Sequence, residues 1–312
     1  MNHLAIIGAG SVGTAIAFAA LNRGVAGRVS LYDVNGAKAL AEVLDLRHGL
    51  QFLRPAIIEG GDDLALCRDA SVVVVTAGAK QRPGENRLDL TARNADLLRQ
   101  LLPQVIRVAP KALLLIVTNP VDVLTQLAIQ VTGRAEGTVL GSGTVLDSSR
   151  LRHLLALRYQ IAERHVHAYV VGEHGDSETV LWSSATIGGA SISEVPCSDG
   201  QVLSEADRKD ILHQVRHAAY QIIAGKGATS WAIGLATVHI LEALDHADYS
   251  SVLPVTAPIP PDIGLGEVCI SLPRRVDAAG AGRVLPLTAT PQEHAALRAS
   301  AQAVKSAFDS LG

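Results

Sequence analysis

Gly8, Gly10 and Gly13 end one apolar run and open an amphipathic stretch, and this G-x-G-x-x-G spacing constrains the fold more than any other feature of the chain. A strand that passes through glycines straight into a helix turns sharply and brings its backbone close to a pyrophosphate, whose charge the first N–H groups of the helix receive. A plain glycine-rich turn would read the same, so a second mark is needed. Asp33 provides it, twenty residues past Gly13 at the end of the next apolar run, where a carboxylate accepts the ribose hydroxyls of an adenosine. Asp33 would repel a 2′-phosphate and Val34 brings no cation, so the expected cofactor is NAD rather than NADP.

Around this turn, apolar runs at 4–7, 29–32, 56–58, 72–76, 113–117 and 139–140 alternate with amphipathic stretches at 12–23, 37–48, 88–108 and 121–131. Repeated strand–helix units predict a parallel sheet, and the unbroken apolar character of the central runs suits strands covered on both faces. The expected class is α/β: a doubly wound parallel sheet of Rossmann type over 1–141, then a second, α+β domain over 142–312. In that second part Ser204 with Asp207, and Thr290-Pro291 with Glu293, have the form of helix caps. Ile211, Val215, Ala218 and Ile222 recur behind the first cap at helical spacing, and Leu297, Ala301, Val304 and Phe308 behind the second.

Composition removes several function classes. With 48% hydrophobic and 18% charged residues the chain is too apolar to stay disordered, and its apolar runs fall short of the ~18 to 20 residues a membrane-crossing helix needs. Lys plus Arg (27) nearly balances Asp plus Glu (30) without clustering, so neither nucleic acid nor a membrane surface is an expected partner. Met1-Asn2-His3 leads into an apolar strand with no basic stretch of the secretory kind, and the expected location is the cytoplasm. Cys67, Cys197 and Cys269 are odd in number and far apart, which suits reduced thiols rather than disulfides or a zinc site.

Three further segments carry residues suited to chemistry. The stretch from Thr76 to Arg87 follows a core strand, where open parallel sheets bind ligands and a loop can close over them. Asp147 and Arg150 stand three apart in a helical stretch and can share one side. Gly172-Glu173-His174-Gly175-Asp176 sets a histidine between glycines after another apolar run. Singly, these read equally as a solvated loop, a surface ion pair and a turn histidine.

Together with G-A-G-S-V-G at 8–13, the segments A-G-A-K-Q-R-P-G-E-N-R-L-D-L at 77–90, T-N-P-V-D at 118–122, G-S-G-T-V-L-D-S-S-R at 141–150, G-E-H-G-D-S-E at 172–178 and G-A-T-S-W-A-I-G at 227–234 resemble the lactate/malate dehydrogenase family, on its bacterial L-lactate dehydrogenase branch. The resemblance implies reversible reduction of a 2-oxo acid, with pyruvate and L-lactate as the substrate pair and the second domain as the substrate-binding one. It implies His174 as proton donor, Asp147 as the carboxylate orienting it, Arg150 as a bidentate clamp for the substrate carboxylate and Arg87 as the cation polarising the carbonyl. Asn119 would lie near nicotinamide and substrate carbonyl; Thr229 and Ile233, four apart on one helical face, would touch substrate and nicotinamide. The cofactor set it implies is Gly8, Gly10, Val12, Gly13, Asp33, Ala77, Gly78, Asn119, Ser142 and Ile233.

Gln81 stands where malate enzymes of this type carry arginine, and a neutral side chain leaves the second carboxylate of oxaloacetate without a counter-charge. Arg82 next to it keeps a malate dehydrogenase as the alternative, and a non-catalytic NAD-binding protein is the alternative from another class. Arg152 lies about 200° around a helix from Arg150 and points elsewhere. With His167 it resembles the pair that holds fructose 1,6-bisphosphate between subunits in many bacterial relatives, which also implies a homotetramer. His165 and His167 share one face of an expected strand, yet no third ligand accompanies them and no metal site is expected.

Overall fold

The computed structural model describes residues 1–79 and 87–311, Arg87 through its backbone alone. Strands β1 (His3–Ile7), β2 (Arg28–Tyr32), β3 (Ile57–Gly61), β4 (Val72–Val75), β5 (Leu113–Ile116) and β6 (Val139–Gly141) pair in parallel in the order β3-β2-β1-β4-β5-β6. Helices α1 (Ser11–Arg23), α2 (Gly36–His48), α3 (Arg87–Val108) and α4 (Val121–Thr132) connect them. The expected strands and helices are all present, and the largest shift is in β3, which runs on through Glu59 and two glycines that carry no apolar signal.

Because side chains alternate along a strand, the continuous apolar runs divide between two faces. Leu4, Ile6, Val72, Val74 and Leu115 pack with Ile16 and Ala20 of α1, whereas Ala5, Ile7, Val73, Val75 and Leu114 pack with Leu98 and Leu102 of α3 and Leu124 of α4. The strand order reverses between β1 and β4, and the connections leaving their carboxyl ends part there to open a crevice.

Beyond residue 141 come α5 (Val145–Tyr159), α6 (Glu205–Lys226), α7 (Trp231–Asp245) and α8 (Pro291–Asp309), with short strands β7 (Val166–His167), β8 (Val170–Val171) and β9 (Thr179–Val180). This half also returns to the first sheet. The strands Thr256–Pro258 and Cys269–Ser271 extend it past β6 in the antiparallel sense, and α7 lies across α1. Gly234 permits that crossing, since a Cβ on it would stand 3.0 Å from the Ala15 Cβ.

Both expected capping boxes form, Ser204 with Asp207 and Thr290 with Glu293. Leu297, Ala301 and Val304 are buried as their spacing predicts, with Phe308 packed against them. On α6 the stripe stops early: Ile211 and Val215 are buried, but Ile222 is exposed because the helix runs on past the core that covers its first turns. The three cysteines are free and buried. No helix among the described residues is long and apolar enough to cross a membrane.

Candidate active site

At the parted carboxyl ends of β1 and β4 a cavity of about 690 Å³ is lined by Gly8, Gly10, Asp33, Ala77 and Gly78. The turn leading into α1 depends on its glycines. Gly8 has φ +108°, and a Cβ on Gly13 would stand 1.8 Å from the Gly8 carbonyl oxygen. Gly10 is different: an added Cβ meets no protein atom within 4 Å, so it would project into space that a ligand can use. Asp33 is held at the mouth, Oδ2 accepting the Ala9 N–H at 2.8 Å and Oδ1 the Asn35 N–H at 2.9 Å. A dinucleotide fits this arrangement, with pyrophosphate over the start of α1 and a ribose over Asp33.

Lys38 lines the same cavity, a cation that the reading centred on Val34 missed; Asn35 caps α2 and accepts the Lys38 N–H at 3.1 Å. The remaining residues of the implied cofactor set lie outside this cavity's lining. Gly13 packs beneath the turn, Val12 and Ile233 are half-buried against one apolar cluster, and buried Ser142 continues β6, its N–H bonded to the Ile116 carbonyl at 2.8 Å.

A second cavity, of about 440 Å³, is lined by Asn119, Asp147, Arg150, His174, Glu178 and Arg216, among others. The first turn of α5 buries Asp147 and makes it a hub. Its Oδ2 lies 2.6 Å from His174 Nδ1, and its Oδ1 accepts from an Arg150 guanidinium nitrogen at 2.8 Å. His174 follows β8 through Gly172 (φ +93°), and its main-chain N–H donates to Asp122 Oδ2 at 2.6 Å. Asp122, buried in the first turn of α4, also accepts the Thr256 hydroxyl at 2.5 Å.

These contacts set the acidities. Burial alone would lower the His174 imidazole, but the Asp147 carboxylate and its hydrogen bond, with Glu178 and Asp122 behind them, lift it to about 9. Burial would raise Asp147, and His174 and Arg150 outweigh it and hold the carboxyl below the ordinary aspartate value. Asp122 is pushed up to about 6 by burial, against the bonds from Thr256 and the His174 N–H. Glu178, buried and beside the Asp147 anion, is pushed up to about 9.

Asn119 is tied to the cofactor side: its carbonyl accepts from Asn94 Nδ2 at 2.9 Å, and Asn94 Oδ1 accepts the Ala79 N–H at 2.8 Å. Thr229 is half-buried but precedes α7, which starts at Trp231 after Ser230, so Thr229 and Ile233 do not share a helical face; neither lines either cavity. Gln81, Arg82 and the Arg87 side chain lie outside the described residues. Arg152 does turn away from Arg150, into a third cavity of about 390 Å³ with Glu163, Arg164 and His239. There its Nε donates to the Ala168 carbonyl at 3.0 Å and its guanidinium stands 5.0 Å from the Tyr169 ring centroid. His167 is exposed on β7 and does not line that cavity. His165 closes a 3-10 turn, Glu163–His165, before β7 begins, so the two histidines are not a strand pair.

Residues 2–141 match the lactate/malate dehydrogenase NAD binding domain, and residues 144–311 match the lactate/malate dehydrogenase alpha/beta C-terminal domain. The chain belongs to the lactate/malate dehydrogenase family. Within this family it is 45% identical over 309 residues to an L-lactate dehydrogenase of Synechococcus sp. (strain JA-3-3Ab), covering 98% of each chain. It is 42% identical over 310 residues to one of Bifidobacterium animalis subsp. lactis (strain AD011), covering 99% of this chain and 97% of that one. Among solved structures, the minor L-lactate dehydrogenase of Enterococcus mundtii in a ligands-bound form superposes with a TM-score of 0.94 at 37% identity, over 100% of this chain and 98% of that one.

Against this family frame, Asp122 and Glu178 are the residues of the site that the motifs displayed without revealing. Asp122 closes T-N-P-V-D and Glu178 closes G-E-H-G-D-S-E. A charged residue among apolar neighbours in the first turn of α4 was the available signal for Asp122.

Proposed function

We propose that this chain is an NAD-dependent L-lactate dehydrogenase, interconverting pyruvate and L-lactate. The observation that carries the reading is a single carboxylate, Asp147, bonded through one oxygen to an imidazole able to move a proton and through the other to a guanidinium able to hold a carboxylate. Full-length similarity to L-lactate dehydrogenases supports it. When bound, the nicotinamide supplies or receives the hydride.

In this reading His174 is the general acid. With Nδ1 committed to Asp147, Nε2 is free to give a proton to the carbonyl oxygen of pyruvate, and an imidazole raised to about 9 carries that proton at neutral pH. Arg150 grips the substrate carboxylate; its bond to Asp147 fixes the guanidinium plane. Arg87 polarises the carbonyl, Asn119 and Thr229 complete the substrate contacts, and neutral Gln81 disfavours a second carboxylate. Gly8, Gly10, Val12, Gly13, Asp33, Ala77, Gly78, Ser142 and Ile233 attend the cofactor, within a cofactor half at 1–141 and a substrate half at 142–312. The test is NADH oxidation by purified protein with pyruvate and with oxaloacetate. Pyruvate should be turned over with the higher kcat/KM, and Gln81→Arg should move the ratio toward oxaloacetate. Failure of both acids to support turnover overturns the reading.

The proposal extends to a cytoplasmic homotetramer in which Arg152 and His167 receive fructose 1,6-bisphosphate across a two-fold axis. A doubly phosphorylated sugar would neutralise cations that otherwise repel one another and favour the active assembly. Titrating it into dilute enzyme at subsaturating pyruvate should raise the rate in the wild type and leave Arg152→Ala unmoved; an unresponsive wild type overturns the effector site.

A further inference from the structure

Glu178 has no place in the reaction described above, yet it sits in the wall of the same cavity. The residue is 2% exposed, and its Oε1 has no hydrogen-bond partner among the described residues. Ligand atoms of Glu178, Asp147 and His174 lie within 4.8 Å of one another. Asp147 and Arg150 face it from α5, and His174 and Asp176 belong to its own loop. Asp122 stands behind His174 on α4, and Arg216 and Tyr220 reach the cavity from α6. Among the described residues, no hydrogen bond joins either nearby arginine to the Glu178 carboxyl, although both favour its ionised form through space and the Arg216 Nε is buried without a partner. Arg150 is bonded to Asp147, and Arg216 donates to the Glu178 main-chain carbonyl. Tyr220 gives its hydroxyl to Asp176 at 3.1 Å.

A buried carboxylate with an unpaired oxygen is costly, and one beside another carboxylate more so; the neutral acid is the form such a place favours. The substrates assigned to the cavity are themselves anions. A further carboxylate in a wall that already holds Asp147 and Asp176 would oppose them, whereas a carboxylic acid of the same shape does not. We propose that Glu178 is a positioning residue that sets the charge of the substrate cavity: protonated, it adds no charge to the wall beside Asp147 and admits a carboxylate substrate, and its ionisation shuts that substrate out. The two groups titrate as a coupled pair: a His174 imidazolium favours ionised Glu178, so the form with neutral His174 and protonated Glu178 that lactate oxidation needs exists between two shared protonation steps.

This inference rests on His174 being the acid/base group, and the direction of lactate oxidation separates the two claims because it needs the neutral imidazole. In the wild type, kcat/KM for L-lactate at saturating NAD should rise through the first protonation step of the pair and fall tenfold per pH unit beyond the second, where Glu178 is ionised as well as His174 neutral. Glu178→Gln should rise to a plateau, and Glu178→Asp should keep a descending limb. A descending limb unchanged in Glu178→Gln overturns the proposal. A second readout does not use turnover: binding of oxamate, an unreactive analogue of the substrate carboxylate, to the enzyme–NADH complex of His174→Asn and of His174→Asn with Glu178→Gln. Alkaline loss of oxamate should persist in the first protein and vanish in the second; equal loss in both overturns the role of Glu178. Retained pyruvate turnover in His174→Asn would overturn the acid assignment alone and leave the oxamate comparison readable.

Discussion

The main-chain N–H of His174 donates to Asp122 Oδ2 at 2.6 Å while its ring is held by Asp147, so the imidazole is fixed at backbone and side chain by carboxylates from two different helices. Asp122 passes this constraint on to Thr256 in the antiparallel extension of the sheet. The position of the proton donor is thereby tied to the packing of α4, α5 and the sheet edge together.

Asp122→Ala should strand the part-buried His174 N–H, at a cost of about 1–3 kcal/mol, while the Thr256 hydroxyl can turn to Ser271 Oγ at 3.1 Å. A lowered denaturation midpoint and a reduced kcat are the expected results, and an unchanged midpoint would contradict the bond to the His174 N–H. Asp122→Asn cannot ionise and keeps one acceptor oxygen, which suffices for the His174 N–H if its amide nitrogen faces the Thr256 hydroxyl, an oxygen that can accept instead. Since burial raises the folded carboxyl from an ordinary 3.8 to about 6, its contribution to stability is present below pH 4 and lost between pH 4 and 6. The stability of Asp122→Asn relative to wild type should therefore grow across that window, by on the order of 3 kcal/mol.

Pyruvate reduction at subsaturating substrate should weaken as pH rises through the His174 value of about 9, because the required form is the imidazolium. Asp147→Asn removes the anion that chiefly raises it, so the limb should move to lower pH and kcat/KM should drop, on the order of 10²–10⁴-fold. NADH affinity, read by fluorescence, should change little. A pH profile for Asp147→Asn that overlays the wild type would remove the carboxylate from its orienting role.

Arg150→Lys retains charge but loses the planar pair of donors. Losing one charged hydrogen bond of about 1.5–3 kcal/mol corresponds to a ~10–150-fold fall in kcat/KM for pyruvate. Steady-state kinetics at several pyruvate concentrations measure it, and a loss confined to NADH binding would move Arg150 out of the substrate site.

Gly13→Ala places a Cβ against the Gly8 carbonyl oxygen, a backbone atom with little room to yield. Overpacking of this kind costs about 1–3 kcal/mol, and the displaced turn should also weaken NADH. Calorimetric titration and a thermal melt should both register the change; normal NADH affinity in a folded Gly13→Ala protein would refute the close approach.

The parts of the fold that were legible in the sequence depend on near neighbours along the chain. The glycine turn, the strand–helix alternation and the caps at Ser204 and Thr290 are written in spacings of a few residues. Asp147 and Arg150 met as expected because three residues on a helix fix their relation. What stayed hidden depends on distant partners: Asp122 acquires its place through Thr256, 134 residues away, and Glu178 through α5 and α6. Thr229 was assigned to a helix that begins two residues later, since Ser230 and not the hydrophobic period marks its start. On α6, Ile222 keeps the period of a buried stripe although no core lies under it, for periodicity records which side is apolar and not whether anything covers it.

The extension of the sheet by Thr256–Pro258 and Cys269–Ser271 bears on how the chain is made. During synthesis β6 is available some 115 residues before the strand that pairs with it, and until then the nascent sheet presents a bare rim of main-chain donors and acceptors. A ribosome-held chain must keep that rim from neighbouring copies while α5 and α6 are still being made. A fragment stopped at residue 141 would hold every strand of the cofactor crevice and still lack its own edge protection, so it should self-associate through the β6 rim that Thr256–Pro258 covers in the whole chain.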